Sequence, residues 1–320
     1  MSRIYIYASE IATIINKNPY DVLSGFNRIV NKFAIDNIIQ VKEALSNDQE
    51  DVKKSIELLS DKPQTPTIIK EKKTLEKKAS VIENKICNIE RSTTTDAQKV
   101  EKIIPNYVPD MNLTPKVQKQ DLKKKIEKTG VKVEEKLIEN YINKSYGTKK
   151  EDSAIDIFQK KFSVTLDTSQ KFYSYFIKSD TKYNYYIGGK MDGIYKSDYI
   201  VEIKNRMRGF FTFLKDYEKC QVYTYMLMTN IQHVKLVECF NGNIKTTSIS
   251  LEESYKDELL GALDIFIKAL DSFLQSNDIN DFLIMNDTDK IKFIHKLYLN
   301  DINNFYNLNI QDSDTECMFE

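Results

Sequence analysis

Two histidines and four cysteines are all the imidazole and thiolate ligands that 320 residues offer a metal. Cys87, Cys220, Cys239 and Cys317 stand far apart with no CxxC spacing, and only His233 and His295 are there to join them, which argues against a zinc site. The expectation is reduced thiols packed as small hydrophobes. No uninterrupted apolar run reaches the roughly 18 residues that cross a bilayer. The opening MSRIYIYASE also lacks the apolar region of a secretory signal. Neither a membrane span nor secretion is expected, and an intracellular location is. What is present is ample: 41% hydrophobic content can bury one large core or two modest ones.

A formal net charge of zero hides an uneven distribution. Residues 62–130 hold 16 Lys/Arg against 9 Asp/Glu, and 161–215 hold 10 against 5, whereas 252–320 hold 5 against 15. A basic face that attracts a polyanion fits this pattern, and a solvated charge run is the plainer reading of 62–130 taken alone.

The chain divides by pattern into four parts. Residues 1–61 read as helices, with Ile11, Ile14 and Ile15 at helical spacing and a break at Pro19. Residues 62–129 carry Lys/Glu runs, a TTT at 93–95 and five of the six prolines, and read as a charged helical insert flanked by extended linkers. Residues 130–251 give a helix, aromatic-rich strands to about residue 204, a helix over 212–229 and two strands, HVKLVECF and IKTTSISL. Residues 252–320 read as closing helices. The expectation is an α/β core with a helical N-terminal part, an insert and C-terminal helices.

Within that core, YYIGGKMDGIY and YIVEIKN are rich in β-branched and aromatic residues and read as two strands around a Lys196-Ser197-Asp198 turn. A three-residue loop there makes positions summing to 394 face each other, which sets Asp192 opposite Glu202 at roughly 5 Å between Cβ atoms. Side chains alternate along a strand, so Ile200, Glu202 and Lys204 point one way and Val201 and Ile203 the other. Facing carboxylates repel, so the pair needs a cation or a solvated edge. Mg²⁺ or Mn²⁺, which take carboxylate oxygens and keep waters, suit acids without histidine. Lys204 would hold the attacking water or the scissile phosphate. The E-x-K spacing itself recurs at Glu71/Lys73, Glu76/Lys78 and Glu83/Lys85, so the strand context carries the weight.

Two further polar residues sit on apolar stripes. In VEEKLIENYINKSY, Glu134 shares a face with Leu137, Ile138, Tyr141 and Ile142. In FLKDYEKCQVYTYMLMT, Gln221 shares one with Leu214, Tyr217, Thr224, Tyr225 and Met228.

Four separated segments resemble, in the same order, the PD-(D/E)XK nuclease superfamily, and within it the phage lambda-type exonuclease (YqaJ-like viral recombinase) branch. ASEI at 8–11 with NPY at 18–20 looks like that branch's opening helix, and GVKVEE at 130–135 like its G-x-x-x-E helix. MDG followed by VEIK looks like its PDG and ExK strands, and QVYTYMLMT at 221–229 like its Q-x-x-x-Y helix. The resemblance covers residues 1–20 and roughly 130–230, and Met191 departs from it by standing where the family has proline.

The resemblance implies a restriction-endonuclease-like core, a central mixed sheet flanked by helices. It implies Asp192 and Glu202 as metal ligands with the Ile203 carbonyl, Glu134 as an added metal-shell acid, Lys204 as the catalytic lysine, and Gln221 and Tyr225 lining the site. The Ala8-Ser9-Glu10 segment would help hold a 5′-phosphate. Ser9, Lys190 and Arg206 are the candidate substrate contacts. The expected activity is Mg²⁺- or Mn²⁺-dependent hydrolysis of DNA, foremost 5′-to-3′ from duplex ends in recombination or repair. A single-strand annealing protein or further copies of the chain are its expected partners. The alternatives are a structure-specific or single-strand endonuclease on DNA or RNA, and a nucleic-acid-binding module without catalysis.

Overall fold

A computed structural model describes residues 1–110, 113–180 and 182–316. The chain forms two compact units. One comprises Met1–Ala12, Thr94–Ser179 and Tyr183–Gly261, and the other Thr13–Thr93, Asp180–Lys182 and Ala262–Glu320.

The first unit is α/β, with two mixed sheets where one was expected. The first sheet orders β1 (Ser2–Tyr7), β3 (Tyr183–Gly189) and β2 (Tyr173–Ser179) as β1-β3-β2, with β1 parallel to β3 and β2 antiparallel to it. Residues 2–7 are thus a strand and not part of a helical N-terminus. Ile4 and Ile6 are buried while Arg3 is exposed and Tyr5 and Tyr7 half-buried, a period of two that the following helix α1 (Ala8–Ile14) masks in a short segment. The second sheet orders β4 (Gly193–Tyr195), β5 (Tyr199–Asn205), β6 (His233–Phe240) and β7 (Asn243–Ser250) consecutively. Its first pair has the expected register: Gly193 faces Val201, Ile194 faces Ile200 and Tyr195 faces Tyr199.

YYIGGKMDGIY is not one strand. It breaks over Lys190–Asp192, leaving β3 in one sheet and β4 in the other. Glycines permit the crowding on both sides of the break. A Cβ on Gly188 would lie 2.5 Å from the Phe172 ring, and one on Gly193 would lie 2.9 Å from Leu166. Asp192 is thereby released from the ladder, next to the middle of β5.

Helix α8 (Glu151–Phe162) buries Ala154, Ile155 and Phe158 against Val201 and Ile203 of β5 and Val237 of β6. Burying this one-sided face is what fixes the outward direction of Glu202 and Lys204. Helix α9 (Asp216–Thr229) packs on β5 and β6 with Gln221 toward the acids. Helices α5 (Asp96–Ile103), α6 (Pro115–Lys128) and α7 (Glu135–Lys149) share a satellite core of Val100, Tyr107, Leu122, Ile126, Ile138 and Ile142.

The segment 62–129 is helical as expected, but it is no single charged insert, since its second half packs on α7 in that core. The threonine run joins two helices: Thr93 closes the helix over 66–93, and Thr95 caps α5 in a reciprocal capping box with Gln98. Its first half is α4 (Pro66–Thr93), which packs in the second unit against α3 (Ile35–Ser60). Ile38, Leu45, Val52 and Leu59 are buried along α3, and Ile82 and Ile89 along α4, always seven residues apart, the spacing of a two-helix seam. The second unit also contains α2 (Ser24–Phe33), the C-terminal part of α10 (Glu253–Phe273), α11 (Asp278–Ile284), α12 (Asp287–Ile294), a π-turn (His295–Leu299) and α13 (Asn300–Glu316). Phe26 anchors it, its ring 5.3 to 6.4 Å from those of Phe266, Phe273, Phe282 and Tyr298.

Candidate active site

The break before β4 and the β5 face opposite α8 bring six of the expected residues together: Asp192, Glu202, Ile203, Lys204, Gln221 and Tyr225. Asp192 Oδ2 accepts the Ile203 N–H at 2.6 Å, which ties it to the strand bearing Glu202. Lys204 Nζ lies 2.7 Å from Glu202 Oε1 and 2.8 Å from Gln221 Oε1. The Gln221 amide then donates to Glu202 Oε1 at 2.9 Å and to the Tyr225 hydroxyl at 2.6 Å. Gln221 and Tyr225 are one helical turn apart on α9, so both reach the same spot.

The electrostatics are those of crowded acids. Burial, then Glu202 and then Glu151, push Asp192 up to about 9 against the lowering effect of the Ile203 amide. Burial alone would lower Lys204, but Glu202, its hydrogen bond and Asp192 outweigh this and raise it, so the ammonium keeps its charge. Burial first, then Glu202 and Asp192, raise Tyr225 well above the ordinary range, so the phenol stays protonated.

These side chains open into a cavity of about 290 Å³ lined by Asp192, Glu202, Ile203, Lys204, Glu151 and Asn143 among others. Glu202 is 3% exposed, and its Oε2 is buried with no hydrogen-bond partner; Asn143 Oδ1 is in the same condition. Orphaned acceptors beside three carboxyls are what a hard cation would satisfy. Among the described residues no three His, Cys, Asp or Glu side chains stand as a complete ligand set. Two carboxylates, a backbone oxygen at Ile203 and waters are the form of site that Mg²⁺ accepts.

The third acid is not the one the sequence pointed to. Glu134 is exposed, precedes α7, and does not line the cavity. Glu151, at the first residue of α8, lines it instead and shares a side-chain hydrogen bond with Asp192; burial is the main cause that raises its carboxyl. Nothing local marked Glu151, which stands in the charged run KKED with no apolar stripe to set it off.

Arg206 also departs from expectation. Its side chain is 10% exposed and turned inward, gripping Glu218 at 2.6 and 3.0 Å and Glu238 at 2.8 Å, with the Phe211 ring 3.8 Å away. It lines the cavity of the acids, but with its guanidinium taken up by two carboxylates it also clamps β5, β6 and α9 together. Ser9 and Lys190 are exposed, and they line a second cavity, of about 340 Å³, with Tyr7, Ala8, Phe172, Gly189 and Tyr225. Ser9 lies within the first turn of α1 and not at its cap. Of the cysteines, Cys220 is buried beside the Tyr255 hydroxyl, Cys239 half-buried and Cys87 exposed, which departs from uniform packing as small hydrophobes; Cys317 lies outside the described residues. No described helix is long and apolar enough to cross a membrane.

No family model matches the chain, and no curated protein matches it. Among solved structures, it is similar to an alkaline exonuclease (LHK-Exo) from Laribacter hongkongensis, with a TM-score of 0.35, 14% identity, and coverage of 57% of this chain and 89% of that one. The same exonuclease in complex with dAMP gives a TM-score of 0.34 at 14% identity, with coverage of 57% and 89%. SSO0001 gives 0.32 at 17% identity, covering 57% of this chain and 85% of that one.

Proposed function

We propose that the chain is a metal-dependent DNA nuclease that hydrolyses phosphodiester bonds, acting 5′-to-3′ on duplex ends. The observation that supports this reading is the Asp192–Glu202–Lys204–Gln221 cluster, with an unpartnered, buried Glu202 oxygen beside a polar cavity that Glu202 lines. Asp192 and Glu202, with the Ile203 carbonyl, would hold the ion, and Glu151 would stand beside them. A divalent cation bound there supplies neutralisation of phosphate charge and a more acidic water.

The remaining steps fall to the chain. Lys204 has three N–H donors, and Glu202 and Gln221 occupy two. The third is directed to the attacking water or to a phosphate oxygen, where a fixed ammonium stabilises the charge that builds in the transition state. Gln221 holds that ammonium on line, because its amide nitrogen donates to both Glu202 and Tyr225 and its Oε1 is left to accept from Lys204.

The test is incubation of end-labelled linear and covalently closed circular DNA with Mg²⁺, with EDTA, and with the Asp192→Asn, Glu202→Gln and Lys204→Met variants. The expected result is Mg²⁺-dependent release of nucleotides from linear DNA only, lost by a factor of about 10² or more in each variant, with DNA still bound. Full activity in EDTA would end the metal reading, and rapid nicking of closed circles would move the assignment to an endonuclease.

A further inference from the structure

The outward face of the first sheet is built of aromatic rings. Tyr5 on β1 faces Tyr186 on β3, which faces Phe176 on β2, so three rings lie in one row across the sheet, with successive centroids 5.4 Å apart. Phe172, just before β2, continues the row, edge-on to Tyr5 at 5.5 Å, and Gly188 beneath it leaves room for its ring. Phe176 is 50% exposed and Phe172 44%. An apolar row on the solvent face of a sheet is unfavourable unless something covers it. Burial would have been served by the aliphatic residues that fill the opposite face, Ile4, Ile6 and Ile187.

Charge indicates what covers it. The Arg3 guanidinium stands 5.7 Å over the Tyr186 ring. Among the described outward positions of the three strands, Arg3, Tyr5, Tyr7, Asn184, Tyr186, Gly188, Ser174, Phe176 and Ser179, none is a carboxylate. Rings with an arginine set over them and no acid among the outward strand positions suit a ligand with flat apolar faces and a polyanionic backbone. The row also leads somewhere. Phe172 and Tyr7 line the cavity that holds Ser9, Lys190 and Tyr225, and the Tyr225 hydroxyl is bonded to Gln221 of the acid cluster.

We infer that this face is a stacking track for unpaired DNA: bases lie on Phe172, Tyr5, Tyr186 and Phe176, Arg3 meets a phosphate, and the strand runs toward the acid cluster. The inference rests on the nuclease reading for the identity of its ligand. Flat bases stack on such a row whatever their sequence, so the track is indifferent to composition.

The chain contains no tryptophan, so Phe176→Trp introduces a sole reporter. Titrated in EDTA with a short single-stranded oligothymidylate, its emission should be quenched saturably. By fluorescence anisotropy, Phe176→Ala and Tyr186→Ala should each weaken binding of the labelled oligothymidylate by roughly fivefold to a hundredfold. Binding of blunt duplex should change much less. Hydrolysis of bis(p-nitrophenyl) phosphate with Mg²⁺ by the wild-type protein, which needs the acid cluster and no stacking, tests the nuclease reading by itself. Failure of wild type to hydrolyse that ester would sink the nuclease reading alone, since the binding arm needs no turnover. Unchanged oligothymidylate affinity in both variants would overturn the track, as would equal losses for single strand and duplex. Loss of self-association with unchanged DNA affinity would assign the face to a second copy of the chain and overturn it too.

Discussion

Replacing Arg206 by leucine separates two opposed roles for that residue, a contact to substrate and an internal clamp. The side chain is 10% exposed, and its partners Glu218 and Glu238 are 3% exposed. Leucine keeps part of the volume and removes the charge. Glu218 then has lost a two-point ion pair, while Glu238 retains Lys245 at 3.4 Å and the Phe211 N–H at 2.8 Å. Stranding one partner of a buried pair costs about 3–5 kcal/mol, most of it the desolvated charge left behind. The loss falls on β5, β6 and α9, which the clamp joins. Hydrogen exchange followed by mass spectrometry reads it locally: amides of β5 and β6 should exchange roughly two to four decades faster at fixed pH. Arg206→Met combined with Glu218→Met should recover part of the loss, because the stranded Glu218 charge then leaves with its partner. Exchange within threefold of wild type, together with weaker DNA binding and a shallower salt slope, would refute the clamp and restore the substrate contact.

Three more outcomes follow from the same structure. Glu151→Gln should lower turnover and raise the Mg²⁺ concentration for half-maximal activity by about tenfold, whereas Glu134→Gln should leave both within twofold; the reverse order would return the third acid to α7. Leu122→Ala should destabilise the first unit by about 2–4 kcal/mol in urea melts, as a fully buried leucine in the α5–α6–α7 core, and a loss below 1 kcal/mol would make that layer dispensable. Lys290 is 1% exposed, near the Phe282 ring, and burial lowers it from 10.5 to about 8. The unfolded chain therefore holds this proton over a pH range where the folded chain has released it. Wild-type stability gains from this group as pH rises from about 8 to 10.5, and the full penalty applies below 8. Lys290→Met should stabilise the second unit by up to about 3 kcal/mol at pH 7 and remove that rise, as melts across the range would show.

The hairpin at 193–205 was legible because everything that sets it is local: alternation fixes the faces, and a three-residue loop fixes the register. Gln221 was legible for a similar reason, as an amide on an apolar helical stripe. The seven-residue repeat of α3 and α4 was also written in the sequence, but with one buried residue per two turns it is too sparse for a 3.6-residue template and reads as a charge run.

Other features had no local signature. Parallel pairing of β1 with β3 joins Ser2 to Tyr183 across most of the chain, and only that pairing and the crowding at Gly188 and Gly193 split YYIGGKMDGIY between two sheets. Glu134 and Glu151 are both glutamates at helix starts, and which one meets Asp192 depends on how α7 and α8 pack on the second sheet. Arg206 follows a strand as a surface arginine would, and turns inward because Glu218 and Glu238 arrive from two other elements. Periodicity determines which face of an element is buried, since that follows from bond geometry within a few residues. Which side chain meets which across that face is decided by packing between segments far apart in sequence, and only the tertiary structure holds that information.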